Sequence, residues 1–237
     1  MSSPTPASLP PVSRAKPVAT RQIRAHYDEE TITVYQAYSK TIATAAVEHQ
    51  KLNASPDYKT ATRMTWIKPS WAWMLYRSGY SYKDSRQARI LAIKMRHGDF
   101  VKLLEMGVLS SNHATSHTSD GKGQGERGAE GDEKEGRKEK LGGVRIQWDP
   151  ERTVRLEKIE GVRSIQIGIP GDMVERWIGE MIVSIEDVTD KARMLKRVLD
   201  EDEGVTDAEL IERGLVPEER VFEVPVGGVA RERLRMD

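Results

Sequence analysis

Between Arg63 and Tyr82 the chain reads RMTWIKPSWAWMLYRSGYSY, which places three tryptophans, three tyrosines and the cations Arg63, Lys68 and Arg77 within twenty residues. Guanidinium groups hold phosphate through paired hydrogen bonds, and flat rings stack on nucleobases or nicotinamide, so this composition suits a nucleotide-type ligand. A core helix with flanking tyrosines accounts for part of the cluster, because buried rings dominate packing in any domain. It does not account for all of it. Trp71, Trp73 and Tyr76 fall on different sides of one helix, so at least one ring must face another element or a ligand. A second group lies on VRIQWDPER, where alternation sets Arg145, Gln147 and Asp149 on one strand face and Val144, Ile146 and Trp148 on the other. If RSIQIGI pairs with it, Ser164 and Gln166 extend the polar face, next to Arg163. A solvated sheet face is the simpler account; a face covered by helices would need partners or a ligand for these groups. A third group comprises Arg21 and Arg24 before the first strand and Tyr35, Gln36 and Tyr38 at its end.

These residues give a candidate site. Gln147 and Asp149 are the expected catalytic positions, one or the other to orient a reacting ribose if the ligand is a nucleotide. Arg21, Arg24, Tyr35, Gln36, Arg63, Lys68, Tyr76, Arg77, Arg145 and Arg163 are the ligand-binding positions, with Arg63, Lys68 and Arg77 on phosphate and Tyr35 or Tyr76 on a ring.

Other chemistry is excluded by what is missing. There is no cysteine, so thiolate nucleophiles, disulfides and cysteine-based zinc sites are ruled out. The five histidines show no metal-ligand spacing, and no metal is expected. Neither a phosphate loop, a dinucleotide-binding glycine turn, a nucleophile elbow nor a kinase set is present. Net charge is zero but unevenly spread. Residues 21–109 hold fourteen Lys/Arg against eight Asp/Glu, whereas 143–237 hold fifteen against twenty-two. The first half is the one that attracts anions.

The elements that must position these groups follow from periodicity. Residues 1–20 are rich in Pro and Ser and are expected to be a disordered tail. Residues 110–142, glycine-rich and of mixed charge, are expected to be a disordered insert within one domain, since closing a longer loop costs little. The domain is expected to span 21–199, and 200–237 to form an acidic, loosely attached extension with a short helix at TDAELIERG and an edge strand at RVFEVP. Strands are predicted at 31–38, 63–67, 88–95, 144–149, 163–169 and 181–188. Helices are predicted after the cap Ser39, from Pro69 to Gly79, after the cap Asp99 with Gly107 as terminator, over 172–179, and after the cap Thr189. Two adjacent strands with no helix between them favour an α+β fold: a mixed, mainly antiparallel sheet of about six strands with about five helices packed on it.

The blocks RQIRAHYD, TITVYQAYS, RMTWIKPSWAWMLYRSGY, LAIKM, VRIQWDPER, RSIQIGI and IVSIEDVT, in this order, resemble the family catalogued as domain of unknown function 4291 over about 21–199. The insert and the tail after 200 stand outside that pattern. A more distant similarity is to ADP-ribosyltransferase-like proteins, which often carry Tyr-His-x-Thr/Ser at a strand end, a later aromatic motif and an acidic or amide residue on a late strand. Val34, Tyr35, Gln36 and Ser39, then Tyr76 or Tyr80, then Gln147 occupy those places, with Gln36 where a His is expected and no glutamate at the Gln147 position. This similarity implies NAD as the cofactor.

Three classes of function follow. One is a transferase or hydrolase using NAD or another nucleotide-type ligand. Another is a non-catalytic module for RNA or single-stranded nucleic acid. The third is an interaction or scaffold protein. No membrane span or secretory signal is read in the chain, so an intracellular, cytoplasmic or nuclear location is expected.

Overall fold

A computed structural model of the protein describes residues 20–59, 64–110, 143–224 and 228–236. All of the expected N-terminal tail but Thr20, nearly all of the insert, and Arg63 lie outside the described residues. In chain order the elements are β1 (Arg24–Ala25), β2 (Thr31–Tyr38), α1 (Lys40–His49), β3 (Thr65–Ile67), α2 (Trp71–Ser78), β4 (Arg89–Arg96), α3 (His97–Glu105), β5 (Gly107–Leu109), β6 (Val144–Arg152), β7 (Lys158–Ile169), α4 (Gly171–Arg176), β8 (Ile182–Asp187), α5 (Thr189–Glu201), α6 (Asp207–Glu212), β9 (Arg220–Val221) and α7 (Gly228–Arg233). The fold is α+β and mainly antiparallel, with its described strands in three sheets of order β2-β4-β8, β3-β7-β6-β5 and β1-β9.

The two larger sheets share one core. Ile32 and Val34 of β2, Leu91, Ile93 and Met95 of β4 and Ile185 of β8 join Ile67, Ile146, Ile165 and Ile167 of the other sheet in a single buried cluster, closed by Phe100 and Leu104 of α3 and by Val174 and Trp177. A second cluster covers the outer face of the β2-β4-β8 sheet with Trp71 and Leu75 of α2, Ala192 and Leu195 of α5 and Leu210 of α6. That sheet is therefore covered on both sides. Backbone pairing links the two sheets where Tyr35 N–H donates to the Lys68 carbonyl at 2.7 Å and Lys68 N–H donates to the Tyr35 carbonyl at 3.3 Å.

Several caps form as their residue types dictate. Ser39 takes the Ile42 N–H at the start of α1, and Ser70 takes the Trp73 N–H at the start of α2, whose last turn closes on Gly79 in the left-handed region. Other ends differ from expectation. Helix α3 starts at His97, and Asp99 lies inside its first turn, where it pairs with Lys102 at 2.9 Å. Thr189 is the first residue of α5 rather than its cap, because its hydroxyl is taken up by the backbone N–H of Ile90 at 2.9 Å. Gly107 opens a strand, β5, that the sequence does not show. β5 runs parallel to β6 with Gly107 opposite Val144, so the chain on either side of the insert enters the same sheet. A parallel pair needs a connection of a dozen or more residues, which the segment between them provides.

Residues beyond 199, expected to be loosely attached, contribute to the core. Leu210, Phe222, Val224 and Leu234 are buried. β9 pairs with β1, Phe222 N–H donates to the Ile23 carbonyl at 2.8 Å, and the Trp148 indole donates to the Leu234 carbonyl at 2.9 Å. Apolar residues spaced among many acids hid this in the sequence.

A Cβ on Gly107 would meet Ile146 Cγ1 at 2.7 Å and the Leu104 carbonyl oxygen at 2.9 Å. Overpacking against backbone of this kind costs roughly 1–3 kcal/mol. Gly107→Ala is expected to lower the urea unfolding midpoint accordingly. An unchanged midpoint would mean that the close β5–β6 approach is not maintained.

Candidate functional site

Side chains alternate along β3, β7 and β6, and direct cross-strand partners share a face. Gln147 lies opposite Gln166, Asp149 opposite Ser164, and Arg145 opposite Gly168, which is itself opposite Trp66. The polar face anticipated for β6 and β7 therefore exists, with Gln166 Nε2 donating to Gln147 Oε1 at 2.5 Å. Gly168 leaves room for the Trp66 ring, since a Cβ there would stand 2.9 Å from it and 2.5 Å from the Met64 sulfur.

At the edge of this face a cavity of about 590 Å³ opens between the end of β2, β3, α2 and the segments around Asp57 and Arg86. Among the described residues Lys59, Lys68, Arg77 and Arg86 line it, against one carboxylate, Asp57. Rings come from Tyr38, Tyr58 and Trp66. Gln36 lies within it with both ends of its amide in use: Nε2 donates to the Trp66 carbonyl and Oε1 accepts from the Tyr38 hydroxyl, each at 2.9 Å. The Arg77 guanidinium makes no hydrogen bond or ion pair with any described residue.

Lys68 is the most unusual group. Only 5% of the residue is exposed. Its ammonium sits 4.6 Å from the centre of the Trp73 ring and has no hydrogen-bond acceptor among the described residues. Burial brings its pKa down to about 7; the Asp149 charge resists this and the Arg77 charge assists it. Burial also raises the Asp149 carboxyl, with Lys68 and Arg163 pulling it back. Asp149 Oδ2 is buried without a hydrogen-bond partner among the described residues. Lys68 thus lies within the electrostatic reach of Arg77, encoded before the insert, and of Asp149, encoded after it.

A second buried polar group adjoins this one. Glu151 accepts from the Ser70 hydroxyl at 2.9 Å and the Arg152 N–H at 2.8 Å, and burial raises its carboxyl against those bonds. Glu219, from the C-terminal segment, accepts from the Trp71 N–H at 2.6 Å. Part of Glu219 reaches the surface but its carboxyl is enclosed. Burial first, and then the Glu151 charge, push it up to about 8, while the Trp71 N–H and Arg24 oppose the shift. Glu151 is the residue that the sequence places with Asp149 in a turn at the end of its strand, but β6 runs on through it to Arg152. Glu219 lies in an acidic stretch where nothing marks one carboxylate as buried.

The other anticipated residues are dispersed. Tyr35 faces away from this cavity, as the residue preceding Gln36 on a strand must. Tyr76 is 39% exposed and stacks beneath the Arg152 guanidinium at 3.9 Å. Tyr80 donates to the Val154 carbonyl at 2.5 Å. Gln147 is occupied by Gln166 and does not line the cavity. Arg24 and Arg163 are exposed, Arg24 beside the glutamate pair and Arg163 beside Asp149; Arg21 and Arg145 are half-buried outside the cavity lining. Of the positions named for the ADP-ribosyltransferase-like similarity, Ser39 lines the same cavity as Gln36, whereas Tyr35, Tyr76, Tyr80 and Gln147 do not. Lys59, Arg86, Tyr38, Tyr58 and Trp66 line it too, and among these only Tyr38 and Trp66 belong to segments the sequence marked out. No group of three or more His, Asp or Glu among the described residues is placed to hold a metal.

The sequence pattern of the family described as Domain of unknown function (DUF4291) matches residues 22–222. The chain belongs to this family. The match continues past 199, so the DUF4291 domain includes β9 and Glu219, and the segment after 200 is not outside it as anticipated. Among curated proteins, none matches the chain. No helix among the described residues is long and apolar enough to cross a membrane.

Two stability predictions follow. A lysine whose pKa falls from 10.5 to about 7 on folding loses stability when its charge is buried, and regains it as pH rises from 7 to 10.5. Lys68→Met is therefore expected to be more stable than wild type at about pH 6 by roughly 1–4 kcal/mol, with the advantage shrinking towards about pH 10. Equal unfolding free energies at both pH values would show the amine to be solvated. Glu219 has the opposite sign: its folded pKa of about 8 exceeds the ordinary 4.5, so stability falls as pH rises between these values. Glu219→Gln keeps an acceptor for the Trp71 N–H and should flatten that decline in a pH series of denaturant melts.

Proposed function

We propose that the DUF4291 domain binds a nucleotide-type ligand in the cavity beside Lys68 and acts on it as a transferase or hydrolase. The observation that carries this reading is the lining: four cations and three rings against a single carboxylate, with the Arg77 guanidinium unpaired among the described residues. A volume of about 590 Å³ lies within the ordinary range for small-molecule sites. In this reading Lys59, Arg77 and Arg86 hold phosphate, and Tyr38, Tyr58 and Trp66 take flat rings. NAD, with two ring systems and a diphosphate, is the type ligand.

Lys68 supplies the chemistry. An amine with a pKa of about 7 is divided between its two forms near neutrality, which suits a general base. It takes the proton of an attacking hydroxyl or water as the new bond forms at the ribose carbon and the nicotinamide bond breaks. Asp149, within electrostatic reach, steadies the ammonium produced. The catalytic role anticipated for Gln147 passes to Lys68, and Asp149 becomes a positioning residue.

Calorimetric titration with NAD and ADP-ribose tests this. Arg77→Ala is expected to weaken binding about 10- to 100-fold, as for a lost charge-assisted hydrogen bond. Lys68→Met should retain ligand but lose turnover, followed by nicotinamide release. Binding unchanged in Arg77→Ala would sink the phosphate assignment. Tighter binding of a single-stranded RNA, with a steep salt dependence, would favour nucleic acid as the ligand instead.

A further inference from the structure

A second cavity, of about 370 Å³, lies on the outer face of the β2-β4-β8 sheet. Strand β2 divides it from the first cavity: Tyr35 lines one and Gln36 the other. Helix α2 does the same, presenting Trp71 here and Met74 and Arg77 there. The floor consists of two cross-strand rows, Thr33–Lys94–Ser184 and Tyr35–Ala92–Glu186, whose members are direct partners and so share a face. The roof is Ile211 of α6 with Val216 and Pro217 from the segment that follows.

The polar groups of this cavity are unevenly committed. Lys94 is held by Asp28 at 2.9 Å. Glu186 on the floor and Lys191 of α5 on the wall have no hydrogen bond or ion pair with any described residue. Tyr35 is 3% exposed, and its hydroxyl likewise has no partner among the described residues. Burial and the charges of Glu219 and Glu186 all disfavour its ionisation, and Glu186 shares the cavity lining with it. The Trp71 indole N–H, at one end, is also buried without an acceptor. Glu218, exposed, also lines the cavity, and its carboxylate has no hydrogen bond or ion pair with any described residue, so an apolar roof over two open carboxylates, one open ammonium and an uncommitted hydroxyl sets the chemistry of an occupant.

We propose that this cavity binds an amino-acid-type zwitterion with a large apolar side chain. The ammonium group sits at the Tyr35 hydroxyl and Glu186, the carboxylate at Lys191, and the side chain under Ile211, Val216 and Pro217. A ligand of one charge would leave either Glu186 or Lys191 unanswered. The volume, near the lower end of the range for small-molecule sites, suits a single amino acid and not a dinucleotide. This site is independent of the nucleotide reading, because none of these residues lines the first cavity.

Phenylalanine, phenethylamine and phenylacetate serve as probes, titrated calorimetrically into the full chain. Phenylalanine is expected to bind at least tenfold more tightly than either singly charged analogue. Glu186→Gln, an exposed position, should weaken phenylalanine and phenethylamine and leave phenylacetate unchanged. Lys191→Met should weaken phenylalanine and phenylacetate and leave phenethylamine unchanged. Ala92→Phe fills the floor and should abolish binding of all three; if it fails to fold, the two charge variants decide the matter. NAD titrations into Glu186→Gln and Lys191→Met report on the first cavity separately and should match wild type. The proposal is overturned if no probe binds, if phenylacetate equals phenylalanine, or if Glu186→Gln leaves phenylalanine affinity unaltered.

Discussion

Two backbone hydrogen bonds between Tyr35 and Lys68 join the two main sheets, and the placement of Tyr35, Gln36 and Lys68 follows from them. At that point β2, already paired with β4 along its length, also takes a partner from the opposite sheet. Because side chains alternate along a strand, the junction sends Tyr35 to one side and Gln36 to the other. It also fixes Lys68 where two sheets and α2 converge. A lysine there cannot extend its ammonium into bulk water, as lysines ordinarily do at the edge of a sheet.

Burial is partly offset rather than avoided. The Lys68 ammonium has an aromatic face and the field of Asp149, and no hydrogen-bond acceptor among the described residues. The glutamate pair is handled differently. Glu151 and Glu219 receive hydrogen bonds from Ser70 and from the Arg152 and Trp71 backbone, and Arg24 adds a nearby positive charge. Those bonds anchor the start of α2 to β6 and to the C-terminal segment, so the helix that walls both cavities is fixed by polar contacts at its first turn and by apolar ones along its length. In all of these groups burial pushes towards the neutral form, lowering the lysine and raising the carboxyls, which is the pattern expected when titratable side chains are withdrawn from water.

The C-terminal segment changes how the domain is understood. It supplies β9 to pair β1, Phe222 and Leu234 to the main core, Glu219 to the polar group, and the roof of the second cavity. Its sequence is dominated by acids, and acidic stretches usually remain solvated. Here the few apolar residues among them carry the attachment, and the acids other than Glu219 stay largely at the surface.

Local signals in the sequence were sufficient for most of the longer elements, though not for β5 or for the starts of α3 and α5. Alternation in VRIQWD and RSIQIGI, Ser39 before α1 and Gly79 after α2 define strands, a start and a stop because backbone propensity and capping act over a few residues, while α2 starts at its cap Ser70 and not at Pro69 as expected. The pairing of Gln147 with Gln166 was also legible, as a consequence of two alternating strands lying side by side. The α+β class and the family followed from the order of such blocks. Tertiary structure alone decided which charges are buried. Lys68 and Arg77 look equivalent in sequence, yet one is enclosed and the other exposed, because only Lys68 lies at the sheet junction. Glu219 differs from its acidic neighbours only through a contact with Trp71, 148 residues distant in the chain. Desolvation depends on what surrounds a group in space, and residues remote in sequence supply those surroundings.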